Sequence, residues 1–597
     1  MLLRLRAMSP RFRFLLASSL ALTVGFTMSY CGNSVLGGDD PNADMGTEQP
    51  KTLAYLTVSP DNDVMQVDVN TTAQKTFTVF AHYSDGSAED VSASSTLSLE
   101  NTAVGSLAGL TFTSAQSATA KVGFTKVNAT YTTSSGQTVT GYANLTVVWL
   151  RLTGAATDFF FKLPYMGGSQ DQPLQFGTNV QSLDSFFAVD TTGSMGPEIQ
   201  ALKNSLTNTI IPGVKAAAAK DAQFGVAAVE DFPVSPYGQA NYFPPNLDDQ
   251  PLILLQTITA DIAAATKAVG LLLNGTRPRG YGVDLPEGQI EALYQLATGV
   301  GNVINGVVNI PANTTGIGGA GFRKGALPVI TMISDAVFHA KGENTTCTTS
   351  GGTDQIGYSA VASVNNAAHT RAETVTALNK ICAKVIGVSA IVTTVPTNCL
   401  ATADLVQMAN STGAVVPPSA WDIPSRPVGC AAGQCCTGQN GAGEATDANG
   451  ECPLVFKIPS AGTGLDAQVV SGISNVARFS KFNVTTQTSG NPTGDMGETL
   501  PAGKTTADFI TSITPKDASA PPAPPTLPAP VISGNAFTKV YPGSTVRFSV
   551  TAQNTMVQPS TGPQIFRATI KVLAGGCADL DQREVIILVP PKAPVVG

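Results

Sequence analysis

The sequence predicts a multidomain chain in which a central α/β domain, built on a doubly wound, Rossmann-like sheet, is flanked by all-β sandwiches. Three observations lead there. With 597 residues the chain is too long for one core and divides into roughly three to five domains. Short alternating apolar runs broken by turn residues fill 51–151 and return after 481, the pattern of half-buried strands. Between them, continuous apolar runs such as "SFFAV", "FGVAAV", "PVITMIS" and "KVIGVSAIV" alternate with helical stretches such as "PEIQALKNSLTNTI" and "EGQIEALYQLATGV". Strands that need burial on both faces and alternate with helices make a parallel sheet covered on both sides.

Residues 1–30 read as an export signal: Arg4, Arg6, Arg11 and Arg13 precede an apolar run from Phe14 to Phe26 that is short for a membrane span. Cys31, after Tyr30 and before Gly32, stands where a bacterial lipoprotein signal places the cysteine that receives lipid, and 31–50 is a polar tether. The first sandwich spans 51–151 and a connecting strand segment spans 152–180. Its "TDFFFKLPYMGG" reads as a strand without a local partner and is expected to join the C-terminal sandwich, which would make the middle domain an insertion. The α/β domain covers 181–480. The C-terminal sandwich covers 481–597 and contains a Pro-rich, extended piece at 518–531.

Only 13% of residues are charged and the net charge is -8, with no Lys/Arg-rich run beyond the first residues, so a nucleic-acid partner is not expected. Beyond Cys31 the chain has Cys347, Cys382, Cys399, Cys430, Cys435, Cys436, Cys452 and Cys577. In an exported protein this even set reads as disulfides, with the pairing left open. Three histidines (His82, His339 and His369) and no HExxH give a zinc hydrolase little to build on.

The chemistry is concentrated at strand ends. In "SFFAVDTTGSMGPEIQ", Asp190, Thr192 and Ser194 stand at alternate positions after a buried strand, and Gly193 lets the backbone curl so that their oxygens converge before a helix marked by Pro197 and Glu198. Short oxygen ligands without imidazole or thiolate suit a hard cation: Mg²⁺, alternatively Ca²⁺ or Mn²⁺. One carboxylate and two hydroxyls do not complete such a site. Asp284 and Glu287 in "GVDLPEGQIEAL" and Asp335 in "PVITMISDAVFHA" offer further ligands. Asp231, in "VEDFPV", matches no ligand position and is read as structural.

These motifs carry two resemblances. "D-T-T-G-S-M", "D-L-P-E-G" and "I-S-D-A" resemble, in order, the metal-site loops of von Willebrand factor type A domains in their integrin beta-subunit form. The resemblance implies that Asp190, Thr192, Ser194, Glu287 and Asp335 form a metal-ion-dependent adhesion site whose cation keeps one position open for a ligand carboxylate. It also implies a second, neighbouring site at Asp284, where Gly282 replaces an Asn of the family pattern. Over 51–151, "L-T-V-S-P", "Y-S-D-G-S" with Asp90 and Val91, and "N-T-A-V-G" resemble bacterial immunoglobulin-like domains, which implies a supporting module in which His82 and Asp85 are turn and surface residues.

The expected function is binding without catalysis. An exported, lipid-anchored envelope protein would present a cation-dependent adhesion domain to a protein or polysaccharide carboxylate. One alternative is a scaffold of an envelope assembly with a purely structural ion. Another is a Mg-dependent hydrolase or phosphatase, for which Thr192 occupies the second-Asp position of a D-x-D motif and offers no comparable proton chemistry. Ser194 lacks the G-x-S-x-G elbow of a serine hydrolase.

Overall fold

The computed structural model describes residues 51–152, 158–217, 221–240, 248–344, 347, 357–423 and 426–592. The export signal, the tether and Cys31 lie outside the described residues. The chain is multidomain and β-rich, with several separate sheets. Among the described residues no helix is long and apolar enough to cross a membrane.

The N-terminal domain alternates as its sequence does. In Thr78–Tyr83, Val79 and Ala81 point inward and their neighbours outward. A four-stranded sheet, whose longest members are Lys121–Thr132 and Thr138–Leu150, packs with two three-stranded sheets around Phe77, Phe112, Leu145, Val147 and Trp149. His82 lies on a strand, not in a turn, where it stacks on Tyr55 with ring centroids 4.5 Å apart. The second half of Thr138–Leu150 is buried on both faces. Its outward residues Val148 and Leu150 meet Phe160, Ile565, Ile586 and Leu588, so the module docks face-on against the C-terminal sandwich.

Within the segment 152–180, expected from the sequence to join the C-terminal sandwich, two strands pair with strands of that part of the chain. Phe159–Lys162 runs parallel to Ala578–Val589 at the edge of a six-stranded sheet, and Gln170–Gly177 pairs antiparallel with Thr545–Ala552 in a three-stranded sheet. Burial accompanies the pairing: Phe159 and Phe161 both enter the core. The two sheets meet through Phe537 and Phe548, 5.1 Å apart edge-on. The Pro-rich piece leaves Ile510–Ser519 and returns at Val531–Ser533, with Leu527 buried.

The central domain lies between these strands in sequence. Its six-stranded sheet contains β1 (Ser182–Asp190), β2 (Asp221–Val229), β3 (Ile253–Thr259), β4 (Leu327–Ser334), β5 (Lys384–Ile391) and β6 (Val455–Pro459), in the order 3-2-1-4-5-6. All neighbours are parallel except β3, which is an antiparallel edge. β4 is buried at every residue, as its unbroken apolar run requires.

The main helices are α1 (Gly196–Ser205), α2 (Ile262–Gly270), α3 (Gln289–Thr298), α4 (Arg371–Lys380), α5 (Thr402–Thr412) and α6 (Leu465–Phe479). A Cβ on Gly387 would lie 2.8 Å from Leu405 of α5, whereas Gly472 of α6 would meet the preceding strand residue, Ile386, at 2.9 Å. Successive strand residues face opposite sides, so α5 and α6 cover opposite faces of β5.

Four disulfides use the eight cysteines: Cys347–Cys399, Cys382–Cys577, Cys430–Cys436 and Cys435–Cys452. Two of them staple the Gly-rich loop 428–452. Cys382–Cys577 joins the α/β domain to the C-terminal sandwich, and beside it the Asp579 amide donates to the Gly325 carbonyl at 2.8 Å.

Candidate metal centre

The order 3-2-1-4-5-6 reverses direction between β1 and β4, which opens a crevice at their carboxyl ends. Asp190 ends β1 and Asp335 follows β4; because Val189 pairs with Ile333, Asp190 stands beside Ser334. Thr192 donates both its amide (2.9 Å) and its hydroxyl (2.7 Å) to Asp190 Oδ1, and Ser334 donates to Oδ2 at 2.7 Å. Ser334 in turn accepts from Gln289 Nε2 at 2.9 Å. Met195, fully buried, anchors the turn into α1.

Glu287 arrives from the loop before α3. Its amide donates to the Val337 carbonyl (3.0 Å) and its carbonyl accepts from the His339 amide (2.7 Å), so the Glu287 strand piece runs alongside the chain just past Asp335. The Ala401 amide donates to the Asp335 carbonyl at 3.2 Å, beside the Cys347–Cys399 disulfide. Ser194 lies close enough to the Asp335 carboxylate to oppose the rise of its pKa. Thr192 is bonded to Asp190, the charges of Asp335 and Glu287 are close enough to Asp190 to interact with it, and Ser194 lies near Asp335, so these residues lie near one another past the carboxyl ends of β1 and β4. Asp190, Thr192, Glu287 and Asp335 are 0%, 4%, 3% and 8% exposed, whereas Gly193 and Ser194 are exposed and mark the open side.

Electrostatics sets this place apart. Burial, then the charge of Asp335, pushes Asp190 up to about 7 against the hydrogen bonds from Thr192 and Ser334. Burial, followed by Asp190, Asp231, Asp284 and Asp249, holds Glu287 well above the carboxylate range. Burial raises Asp335 too, opposed by Ser194. Glu198, whose side chain is buried in the first turn of α1, is pushed up to about 8, mainly by burial. Glu287 Oε2, Asp335 Oδ1 and Glu198 Oε2 are buried without a hydrogen-bond partner among the described residues. Buried carboxylates in this state call for a compensating positive charge. Asp190, Glu287 and Asp335 supply oxygen donors of the kind a hard divalent cation takes; among the described residues the group of three whose ligand atoms lie within 4.8 Å of one another is Asp231, Asp284 and His339.

Glu230 and Asp249 were not legible as parts of this arrangement. Glu230 accepts from the Thr191 hydroxyl (2.8 Å) and the Gln250 amide (3.0 Å), and burial drives it up to about 8. Asp249 accepts from the amides of Gln239 (2.8 Å) and Tyr281 (2.9 Å). Together they fasten the loop before α3 to the loop after β1.

Asp231, read from the sequence as structural, forms with Asp284 and His339 a group whose ligand atoms lie within 4.8 Å of one another. His339 Nδ1 meets Asp231 Oδ2 at 2.6 Å, and Nε2 lies 3.6 Å from Asp284 Oδ2. Asp231 Oδ1 accepts from the Tyr358 hydroxyl and the Phe232 amide, both at 2.6 Å. Both oxygens of Asp231 are therefore engaged within the protein. Gly282 adds no ligand here, and its φ of +65° and the 2.4 Å from its would-be Cβ to Glu287 Oε1 leave no room for a larger side chain without displacing Glu287.

No protein-family model and no curated protein matches the chain. Among solved structures, it is similar to a von Willebrand factor type A protein from Catenulispora acidiphila (11% identity, 72% of each chain, TM-score 0.27). It is also similar to the pilus adhesin SpaC from Lactobacillus rhamnosus GG in its open conformation (11% identity, 78% of this chain, TM-score 0.26), of which it spans 52%. A third is proximal thread matrix protein 1 from the mussel byssus (9% identity, 51% of this chain and 48% of that one, TM-score 0.24).

Proposed function

We propose that the chain is an exported cell-envelope adhesion protein whose central domain, doubly wound and of von Willebrand factor A type, captures an acidic ligand group through a divalent cation. The observation that carries this reading is the convergence of Asp190, Glu287 and Asp335 from three loops, with oxygens of Glu287 and Asp335 buried and unpartnered. Asp190, Thr192, Ser194, Glu287 and Asp335 would hold the ion. When bound, a hard cation neutralises the cluster and presents a positive position to a partner carboxylate. The chain's own residues do the rest. Ser334 and Thr192 fix both oxygens of Asp190, Glu230 and Asp249 hold the neighbouring loops, and the exposed Ser194 leaves an approach from solvent.

Asp284 is the candidate for a neighbouring second ion, with His339 beside it and Asp231 orienting the imidazole. The export signal with lipid at Cys31 would place the domain at the envelope, and four disulfides suit that oxidising location. The immunoglobulin-like module would act as a rigid support, because it is docked on the sandwich through an apolar face.

Titration calorimetry of the full chain with Mg²⁺, Ca²⁺ and Mn²⁺ tests the site. Uptake near one equivalent, lost in Asp190→Ala, is expected; absence of uptake of all three ions sinks the reading. Capture of immobilised carboxylate ligands that disappears with chelator distinguishes adhesion from a scaffold holding a structural ion.

A further inference from the structure

The base of the α/β domain and the C-terminal sandwich enclose a cleft of about 980 Å³. Gln181, Ser182 and Lys324 line it from the start of β1 and the turn before β4; Gln175 of Gln170–Gly177 and Asp581 and Gln582 of Ala578–Val589 line it from the sandwich. Ser182 opens β1 and Asp190 ends it, so the cleft lies about 26 Å from the candidate metal centre, at the opposite end of the sheet.

The walls are fixed to each other. Where they meet, the Asp579 amide donates to the Gly325 carbonyl at 2.8 Å, and a Cβ on Gly325, whose φ is +85°, would lie 2.8 Å from the Asp579 carboxylate. Glycine is what permits this approach of the two domains. Beside the cleft, the buried Thr178 hydroxyl donates to the carbonyls of Tyr541 (3.1 Å) and Ser544 (2.9 Å). Arg323, next to Lys324, donates its amide and its Nε to Asp184, each at 2.7 Å. A cleft held in this way binds without first ordering its walls.

Its lining is mostly polar and nearly balanced in charge. Asp579 pairs with Lys571 and Asp581 with Arg583, both at 2.6 Å, and the Arg583 guanidinium lies 5.5 Å from the centre of the Phe176 ring. The carboxylates are thus compensated without a divalent ion, and one exposed lysine is too little for a polyanion. None of the large apolar side chains that the protein exposes lines the cleft, so the anchors of a protein interface are missing there. What the cleft offers instead is amide groups, with Gln175 oriented by a 3.0 Å bond from Arg547 Nε, together with the Ser182 hydroxyl and the apolar Phe159 and Leu174. A side-chain amide supplies a donor and an acceptor side by side, as a sugar hydroxyl does. A pyranose ring carries hydroxyls around its rim and C–H groups on its faces.

We infer that this cleft is a second binding site, remote from the strand-end centre and independent of metal, and that it takes a short neutral oligosaccharide. Its volume is at the upper end for small-ligand sites, which suits several linked sugars better than one.

The test uses the full chain in chelator on immobilised cello-, chito-, malto- and mannotetraose, with polygalacturonate alongside. Capture of at least one neutral tetraose, unchanged when Mg²⁺ is added, is expected. The double variant Gln175→Ala/Gln582→Ala is expected to lose about tenfold or more in affinity, with its melting temperature at the wild-type value because both side chains are exposed. In the unaltered chain, hydrogen exchange at Leu174–Gly177 and Asp579–Arg583 is expected to slow in saturating tetraose. Retention of none of the four neutral sugars, capture that needs Mg²⁺, preference for polygalacturonate, full affinity in the double variant, or unchanged exchange at both segments overturns the inference. Cation uptake, which reports the strand-end centre, is unaffected by any of these outcomes.

Discussion

Ser334 donates its hydroxyl to Asp190 Oδ2 at 2.7 Å while accepting from Gln289 Nε2 at 2.9 Å, so a residue of β4 and one of α3 together set the rotamer at the end of β1. Ser334→Ala leaves a buried carboxylate oxygen and a buried amide without this partner. The expected outcome is a loss of about 1–3 kcal/mol of stability in chelator and weaker Mg²⁺ uptake, read by denaturant titration and calorimetry. Unchanged cation affinity would show that Asp190 needs no such support.

The acidic cluster makes metal-free stability depend on pH in an unusual direction. Asp190 rises to about 7 and Glu198 and Glu230 to about 8, from ordinary values of 3.8 and 4.5. The folded state therefore holds protons that the unfolded state has released. Stability is fully present below the ordinary carboxylate range and is lost as pH rises toward 7–8. In chelator the melting temperature is expected to fall across that window. Saturating Mg²⁺ replaces the protons and flattens the fall, and Glu198→Gln reduces its high-pH part.

Gly282 is required by both conformation and space. Gly282→Ala places a Cβ at a φ of +65° and 2.4 Å from Glu287 Oε1. A cost of about 1–3 kcal/mol is expected from the backbone conformation, together with weaker Mg²⁺ uptake because Glu287 must move. Denaturation and calorimetry on the same preparation separate the two effects.

How much of this was readable in the sequence depends on where partners lie. Phe186–Val189 and Val329–Ser334 announce buried strands because every residue must be covered, and Thr192 reaches Asp190 through local backbone alone. Asp335 stands at a strand end and Glu287 before a helix, and only the resemblance of the three loops put them beside Asp190 in the sequence. The meeting of Asp231 with His339 was not readable, since it depends on the register that sets Glu287 against Phe338. Nor was the docking of Val148 and Leu150 on Ile586 and Leu588, because residues buried on a second face look the same whichever surface covers them. Glu230, one residue before Asp231, was hidden because a carboxylate after a strand reads as solvated unless its neighbours Thr191 and Gln250 are known.

The Cys382–Cys577 disulfide spans 195 residues and is half-exposed, whereas the other three are buried. Cys382→Ser/Cys577→Ser is expected to cost about 2–4 kcal/mol and to split the melting transition into α/β and sandwich steps. Differential scanning calorimetry reads this directly; one unshifted transition would show that the noncovalent contacts suffice.

The chain enters the α/β domain from a strand of the three-stranded sheet and leaves it into Phe482–Gly490 of the six-stranded sheet, with the Cys382–Cys577 bond as a further tie. Tension applied at the carboxyl ends of β1 and β4 is consequently shared by several anchor points acting side by side, one in each layer and one covalent. A tether of this geometry resists being drawn out like a bead on a string.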